Sequence, residues 1–142
     1  MAYALRFSDM SGTGGCNCGQ VTYEFEGDPV ATVVCHCSHC QRQSGGAYSV
    51  NLVMPEGQLT IDGELSVFED RGESGDAVYV YRKFCGSCGS PIISTFVEPA
   101  GIVALKAGTL DDTSTVAPQA QYWVSHKQDW VDIPELQAIA TQ

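Results

Sequence analysis

All seven cysteines of the chain fall into three short groups, and this spacing constrains the fold more than any other feature. The groups are Cys16-Asn17-Cys18, Cys35-His36-Cys37-Ser38-His39-Cys40 and Cys85-Gly86-Ser87-Cys88. Thiolates and imidazoles are metal ligands, and such close spacings are typical of metal sites. Disulfides explain the pattern poorly, because an odd number of cysteines leaves one unpaired. The sequence therefore predicts bound metal.

The cysteines divide into a set of four and a set of three. A tetrahedral structural zinc takes four ligands, commonly from two remote pairs. Cys16 and Cys18 with Cys85 and Cys88 make such a set, and zinc there would close a long loop and stabilise a small β domain. Iron also suits four thiolates. A thioredoxin-like redox role for Cys85 and Cys88 needs a βαβ context, which the sequence does not indicate.

The remaining set, Cys35, Cys37 and Cys40, leaves two interpretations open. Three protein ligands with a free fourth position are the arrangement that zinc uses in catalysis, where the position holds water or a substrate thiolate. The alternative is a second closed structural site, with His36 or His39 as the fourth ligand.

Length and charge restrict the classes of partner. The chain has 142 residues, with 7 Lys and Arg against 17 Asp and Glu, for a formal net charge of −10. We expect one domain over residues 1–142. The negative charge disfavours nucleic acid and anionic membrane surfaces. The start, MAYALRFSDM, lacks the pattern of a signal peptide, and no apolar stretch is long enough to span a bilayer. The expected compartment is the cytoplasm, where clustered cysteines bind metal rather than form disulfides.

Alternating apolar residues and turn signals predict a mainly β fold of about eight to ten short strands. The clearest case is residues 20–26, where Val21, Tyr23 and Phe25 lie on one face of a half-buried strand. Tyr3, Leu5 and Phe7 alternate in the same way and could form a short edge strand. The other expected strands are 30–34, 47–54, 59–61, 65–68, 78–84, 92–97, 102–106 and 121–124.

Local signals add four expectations about turns and helices. Cys16 and Cys18 must lie in a tight loop to share one ion, since neighbours two apart on a strand point to opposite faces. A helical turn is predicted from Ser38, because Ser38 and Gln41 match a capping pattern and Gly45-Gly46 would end it. Asp62-Gly63 is a hairpin signal. The tail after Pro134, ELQAIATQ, is interpreted as a short helix.

Other polar and aromatic residues are weaker candidates for a site. Paired Asp111 and Asp112 are more typical of turn capping than of catalysis. Tyr122, Trp123 and Trp130 could line a pocket, although core packing is the simpler interpretation. His126 could act as a base or be a solvated loop residue. Arg82 and Lys83 could attract an anion or form the solvated face of a strand.

The cysteine motifs, taken in order, resemble those of a known family. The matching motifs are Gly15-Cys16-x-Cys18-Gly19, Cys35-His36-Cys37-Ser38-x-Cys40, Phe84-Cys85-x-x-Cys88-Gly89-Ser90, Gly108-Thr109-Leu110-Asp111-Asp112 and Trp130. Over about residues 12–133 they resemble the glutathione-dependent formaldehyde-activating enzyme family, which also includes centromere protein V. The three cysteine motifs are highly specific, and the other two are supporting.

The resemblance implies a fold, two zinc ions and an activity. The implied fold is mainly β, with stacked small antiparallel sheets like those of the zinc-binding guanine-exchange chaperones. The implied activity joins formaldehyde to glutathione as S-(hydroxymethyl)glutathione, a carbon–sulfur lyase in reverse. One departure is Gln121, where the family often has a histidine, so the substrate could differ. The implied ligands are Cys16, Cys18, Cys85 and Cys88 for a structural zinc, and Cys35, Cys37 and Cys40 for a catalytic zinc.

Two hypotheses of different classes follow. In the first, the open zinc lowers the pKa of a small-molecule thiol and holds the thiolate beside a carbonyl substrate, giving a hemithioacetal. In the second, the chain is a non-catalytic zinc module that binds a protein partner. The state of the fourth ligand position discriminates between them. A third hypothesis, nucleic-acid binding through zinc knuckles, is disfavoured by the charge.

Overall fold

The computed structural model describes residues 10–141, so the edge strand considered for Tyr3, Leu5 and Phe7 lies outside the described residues. One α-helix, α1, spans Ser38–Ser44, and short 3₁₀ turns occupy Glu56–Gln58, Ala107–Thr109 and Val124–His126. None of the helices in this part of the chain is long and apolar enough to cross a membrane. The strands are β1 (Ser11–Gly15), β2 (Thr22–Glu26), β3 (Ala31–Cys35), β4 (Ser49–Pro55), β5 (Leu59–Asp62), β6 (Ser66–Asp70), β7 (Val80–Phe84), β8 (Pro91–Phe96), β9 (Ile102–Lys106), β10 (Ala120–Tyr122) and β11 (Gln137–Ile139).

The strands form two sheets, which confirms the prediction of a mainly β fold. A three-stranded antiparallel sheet has the order β1-β2-β5, and an eight-stranded sheet has the order β11-β10-β3-β4-β9-β8-β7-β6. The larger sheet is mixed, because β10 runs parallel to both β3 and β11. We call these the small sheet and the large sheet.

The core lies between the small sheet and one face of the large sheet. Tyr23 and Phe25 of β2 are buried, as their alternation predicts, and they belong to one cluster with Leu52 of β4 and Leu105 of β9. Because side chains alternate along a strand, the neighbours of these core residues point to the opposite face of the large sheet. That second face carries the residues of the site described below.

The predicted hairpin at Asp62-Gly63 is wrong. β5 pairs with β2 in the small sheet, whereas β6 pairs with β7 at the edge of the large sheet. Gly63 lies between them with φ +109°, and a Cβ there would collide with the carbonyl oxygen of Gln20. The chain does turn at Gly63, but the turn connects the small sheet to the large sheet and not two paired strands.

The predicted C-terminal helix is also wrong, and the strand expected at 121–124 ends early. β11 pairs in parallel with β10, with Ala120 opposite Gln137. Pairing satisfies backbone groups that β10 would otherwise present at the sheet edge, so tertiary context overrides helix propensity in this tail. β10 stops at Tyr122 because Trp123 adopts a left-handed conformation, φ 58°.

Candidate metal centres and cleft

The set of four cysteines converges at the edge between the two sheets. The sulfurs of Cys16, Cys18, Cys85 and Cys88 all lie within 4.8 Å of one another. The sulfur of Cys18 is 3.6 Å from that of Cys16 and 3.7 Å from that of Cys85. Four thiolates at Zn–S bonds of about 2.3 Å in a tetrahedron are about 3.8 Å apart. The observed separations therefore fit zinc, with no rearrangement needed between these pairs.

Two turns present these sulfurs. In the first, the amide of Gly19 donates to the Cys16 carbonyl at 3.2 Å, and the amide of Val21 donates to the Cys16 sulfur at 3.2 Å. Gly19 itself has φ +84°. This is the tight loop that the Cys16-x-Cys18 spacing predicted.

The second turn links β7 to β8 and also contains a glycine in the left-handed conformation. The amide of Gly89 donates to the Cys85 carbonyl at 2.8 Å, and Gly89 has φ +82°. The hydroxyl of Ser90 accepts from the amide of Asn17 at 3.0 Å and lies 3.3 Å from the sulfur of Cys88. Hydrogen bonds from the Ser90 side chain and backbone lower the pKa of Cys88 to about 5. A thiol with so low a pKa is ready to act as a thiolate ligand.

The set of three cysteines converges at the start of α1. The sulfurs of Cys35, Cys37 and Cys40 lie within 4.8 Å of one another. Cys35 ends β3, and the Cys37 sulfur accepts from the amide of Cys40 at 3.3 Å. The helix cap is therefore Cys37 and not Ser38 as the capping pattern predicted, because a sulfur replaces the hydroxyl. Gly45 ends the helix in a left-handed conformation, as predicted.

Neither neighbouring histidine joins the three sulfurs. His36 is fully buried, and its Nε2 lies 2.9 Å from Oε1 of Gln121. The Gln121 amide donates to the carbonyl of Ile133 at 2.8 Å, so its oxygen faces His36 and accepts the Nε2 proton. Nδ1 of His36 is then an unprotonated atom with no partner among the described residues. His39 instead bonds through Nδ1 to Asp70 at 3.0 Å.

A buried ion pair lies against the three-cysteine set. Nε of Arg82 donates to Asp70 at 2.6 Å, and both side chains are at most 5% exposed. Nη1 and Nη2 of Arg82 lie 3.9 and 4.0 Å from the sulfur of Cys40. Burial alone would raise the pKa of Asp70, but the bonds from Arg82 and the Gly72 amide outweigh it and hold this pKa below its usual value. The interpretation of Arg82 as part of a solvated face is wrong.

Lys106 is a second buried basic residue, and the sequence analysis missed it. Its Nζ donates to Oδ1 of Asn51 at 2.8 Å, and the Asn51 amide donates to Ser49 at 2.9 Å. Within residues 10–141 no carboxylate pairs with it. Burial lowers the pKa of Lys106, while the cysteines nearby act in the opposite direction. The available signal was a lysine at the end of the otherwise apolar strand Ile102–Lys106.

Hydrogen bonds among the three sulfurs make their thiols unequal in the absence of metal. Bonds from Cys35 and Cys37 lower the pKa of Cys40, and the charges of Arg82 and Lys106 lower it further. The hydrogen bonds of Cys35 with Cys37 and Cys40 raise the pKa of Cys35. The directions of these pKa shifts favour the thiolate at Cys40, which lies beside Arg82 and Lys106.

A cleft of about 730 Å³ opens beside these three cysteines on the second face of the large sheet. Arg82 and Lys106 lie in its wall, together with Tyr122, Trp123 and His126, and most of the lining surface is apolar. A volume of this size suits a small organic ligand. The residues of its apolar floor are Ala31, Val33, Val53, Phe96, Ile102 and Ala104.

The structure also places the weaker candidates. Trp123 lies in the cleft wall and Trp130 is 75% exposed, so the core-packing interpretation is wrong for both. His126 is partly buried beside Trp123, with ring centroids 5.1 Å apart. Asp112 caps the amide of Ser114 at 2.9 Å, which confirms the turn-capping interpretation for that residue. Gln121 is buried and does not line the cleft.

Comparisons with known proteins identify a family and a similar fold. The model of a family described as glutathione-dependent formaldehyde-activating enzyme matches residues 11–126. A crystal structure of a Rhodobacter sphaeroides protein is similar in fold, with a TM-score of 0.56 and 20% sequence identity. The similarity covers 70% of this chain and 87% of that one. No curated protein matches the sequence.

Proposed function

The chain belongs to the family of glutathione-dependent formaldehyde-activating enzymes, and from that premise we propose that it is a zinc-dependent carbon–sulfur lyase. Its reaction would resemble that of S-(hydroxymethyl)glutathione synthase, which joins glutathione to formaldehyde. The observation that carries the proposal is the set Cys35, Cys37 and Cys40, with convergent sulfurs at one end of a ligand-sized cleft. No fourth protein ligand joins this set within residues 10–141.

The two cysteine sets would have different roles. Cys16, Cys18, Cys85 and Cys88 would hold a structural zinc that ties β1 to β7 and β8. Cys35, Cys37 and Cys40 would hold the catalytic zinc, which when bound lowers the pKa of a coordinated thiol and so supplies a nucleophile at neutral pH. The structural role is supported by the sulfur separations of 3.6 and 3.7 Å.

Lys106 would complete the charge balance at the three-cysteine set. Three thiolates and one divalent ion carry a net charge of 2 − 3 = −1, and binding a substrate thiolate makes it −2. Arg82 is neutralised by Asp70, whereas within residues 10–141 the only hydrogen-bond partner of the Lys106 ammonium is the amide oxygen of Asn51. Lys106 therefore supplies the positive charge that makes an incoming thiolate acceptable in a desolvated site.

The positive charge of Lys106 would also act at the transition state of the reaction. The thiolate sulfur attacks the carbonyl carbon, a carbon–sulfur bond forms, and the carbonyl π electrons move to oxygen. The oxygen then takes a proton from water to give the hemithioacetal, and the reverse sequence releases both substrates. A fixed ammonium in a low-dielectric cleft stabilises the developing oxyanion more than water does. We propose that Lys106 has this role.

Exchange spectroscopy tests the proposal. Glutathione and ¹³C-formaldehyde combine without a catalyst, so the NMR exchange rate between free formaldehyde and the adduct gives the baseline. The zinc-loaded protein should increase this rate, and the Cys37→Ser variant should lose the increase. Equal rates with and without the zinc-loaded wild type would contradict lyase activity on this pair and favour a non-catalytic module.

A further inference from the structure

The apolar floor of the cleft is larger than a one-carbon aldehyde can cover. Ala31 on β3 lies opposite Val53 on β4, and Val53 lies opposite Ala104 on β9. These three side chains form a row across three strands of the large sheet, with neighbouring strands about 4.8 Å apart. The row is thus about 10 Å wide, and Val33, Ile102 and Phe96 extend it.

Among residues 10–141, no second sheet packs against the apolar row on this face of the large sheet. Ala31, Val33 and Val53 are each half-buried, so part of their surface meets water in the cleft. Exposed apolar surface is unfavourable by about 25 cal/mol for each Å². A ligand that covers the row therefore gains binding free energy, whereas formaldehyde leaves the row exposed.

The charges around the cleft favour a neutral ligand over an anionic one. Arg82 is paired with Asp70, and Arg71 at the rim lies 3.5 Å from Glu69. Lys106 lies beside the three cysteines, where in the proposed function it acts on the bound thiolate and the reacting oxygen and not on a remote part of the ligand. The rim also carries Glu73, Asp76 and Glu98, whose negative charges repel carboxylates.

We infer that the thiol or thiol adduct bound at Cys35, Cys37 and Cys40 carries a neutral apolar chain of several carbons, which lies on the row Ala31, Val53 and Ala104. The inference rests on the proposed function, since the sulfur of the ligand takes the fourth position of the metal. The substrate class is therefore apolar thiols and their carbonyl adducts.

A homologous series of thiols separates this inference from the proposed function. The cobalt(II)-loaded protein is titrated with ethanethiol, propanethiol, butanethiol, pentanethiol and glutathione, and the visible cobalt–thiolate bands report binding of sulfur. Each added methylene should tighten the dissociation constant by about two- to fourfold. Pentanethiol should bind roughly 10- to 60-fold more tightly than ethanethiol, and more tightly than glutathione.

A second readout comes from the cleft wall. The chain has two tryptophans, and Trp130→Phe leaves Trp123 as the only indole. Its fluorescence should change on titration of the zinc-loaded variant with pentanethiol, and the midpoint should match the cobalt value. Unchanged fluorescence of Trp123 at saturating pentanethiol would place the pentyl chain outside the cleft and overturn the inference.

Two matched valine-to-threonine substitutions test where the apolar chain of the ligand lies. Val53→Thr keeps the β-branched shape but places a hydroxyl in the row, so it should flatten the dependence of affinity on chain length. Val67→Thr is the control, because Val67 is 50% exposed on β6 and does not line the cleft. It should keep the full dependence.

The outcomes distinguish the two proposals. Bands that respond to ethanethiol but show no dependence on chain length contradict the apolar-chain inference and leave the thiol-binding function standing. Bands that respond to no thiol contradict both. Equal effects of Val53→Thr and Val67→Thr would also overturn the inference, since the row would then have no specific role.

Discussion

The guanidinium of Arg82 lies 3.9 Å from the sulfur of Cys40 while its Nε donates to Asp70 at 2.6 Å. A carboxylate, a guanidinium and a thiol therefore form one buried chain that joins β6, β7 and α1. The arrangement fixes Arg82 in place, and it brings a cation to a cysteine of the three-cysteine set without an additional net charge. Arg82 thus links the buried ion pair to the three-cysteine set.

We expect Arg82→Met to lower the free energy of unfolding of the zinc-loaded protein by about 3–5 kcal/mol, because it removes the guanidinium that pairs with buried Asp70 and leaves His39 as the remaining basic partner of this carboxylate. Urea unfolding measures the change. Arg71→Met is the matched control, since the pair of Arg71 with Glu69 is half exposed and should contribute about 0–1 kcal/mol. Equal losses in the two variants would contradict the account.

The pKa of Asp70 predicts a dependence of stability on pH. The pKa in the folded protein is below the ordinary value of 3.8, so the ionised form stabilises the fold above the unfolded pKa. This contribution is lost as the pH falls through the folded pKa. The stability difference between wild type and Asp70→Asn should therefore be constant near neutral pH and shrink below about pH 4. A difference that stays constant down to pH 2 would show that ionisation of Asp70 has no role.

Gln121 is expected to matter for structure. Gln121→Leu removes the acceptor of the His36 proton and the donor to the Ile133 carbonyl, each at a cost of about 1–3 kcal/mol in unfolding free energy. Gln119→Leu is the control, because Gln119 is exposed and its amide oxygen accepts from Thr32 at 3.1 Å. In ¹⁵N NMR, His36 should be the Nε2–H tautomer. The Nδ1–H tautomer, or equal losses in both variants, would contradict the assignment.

Two equally exposed thiols should differ in reactivity. Hydrogen bonds from Ser90 lower the pKa of Cys88 to about 5. A bond from the Gln20 backbone lowers that of Cys18, but desolvation and the neighbouring sulfurs outweigh it and raise the pKa to about 11. In metal-free protein at pH 6, iodoacetamide should therefore modify Cys88 before Cys18, as mass spectrometry of the peptides can show. Added zinc should protect both. Equal labelling would contradict a preformed thiol set.

Lys106→Met should lower the rate of adduct exchange by about 10²-fold, a typical effect of removing one oxyanion donor. Lys83→Met is the control, because Lys83 is near the Cys85 turn and does not line the cleft. Thermal unfolding should show both variants to be folded. An exchange rate unchanged by Lys106→Met would mean that its ammonium does not act on the reacting oxygen.

The spacing of residues within short segments predicted the structural features that depend on a few neighbouring residues. The tight loop before Gly19 and the buried face of Tyr23 and Phe25 follow from patterns within about ten residues, and the division of the cysteines into four and three follows from their number and their grouping in short motifs. Errors arose where distant segments decide the outcome. Gly63 turns toward a different sheet because β6 finds its partner in β7, and residues 137–139 become a strand because β10 presents an edge.

The same reason explains the residues that sequence analysis misjudged. Nothing near Arg82 or Lys106 in the chain indicates that both point toward Cys40, since that depends on the register of four antiparallel strands. Gln121 and His36 are 85 residues apart. Their contact requires the parallel pairing of β10 with β3, which places Tyr122 beside Cys35.

Cobalt(II) substitution followed by titration with ethanethiol tests the central claim most directly, because the bands count the sulfurs around each ion. The account predicts one site with four thiolates, whose bands do not change when thiol is added. It predicts a second site with three thiolates, whose bands change as a fourth thiolate binds. Protein with Cys37→Ser should lose only the second response. Two sites whose spectra do not change at saturating thiol would contradict thiol activation at Cys35, Cys37 and Cys40.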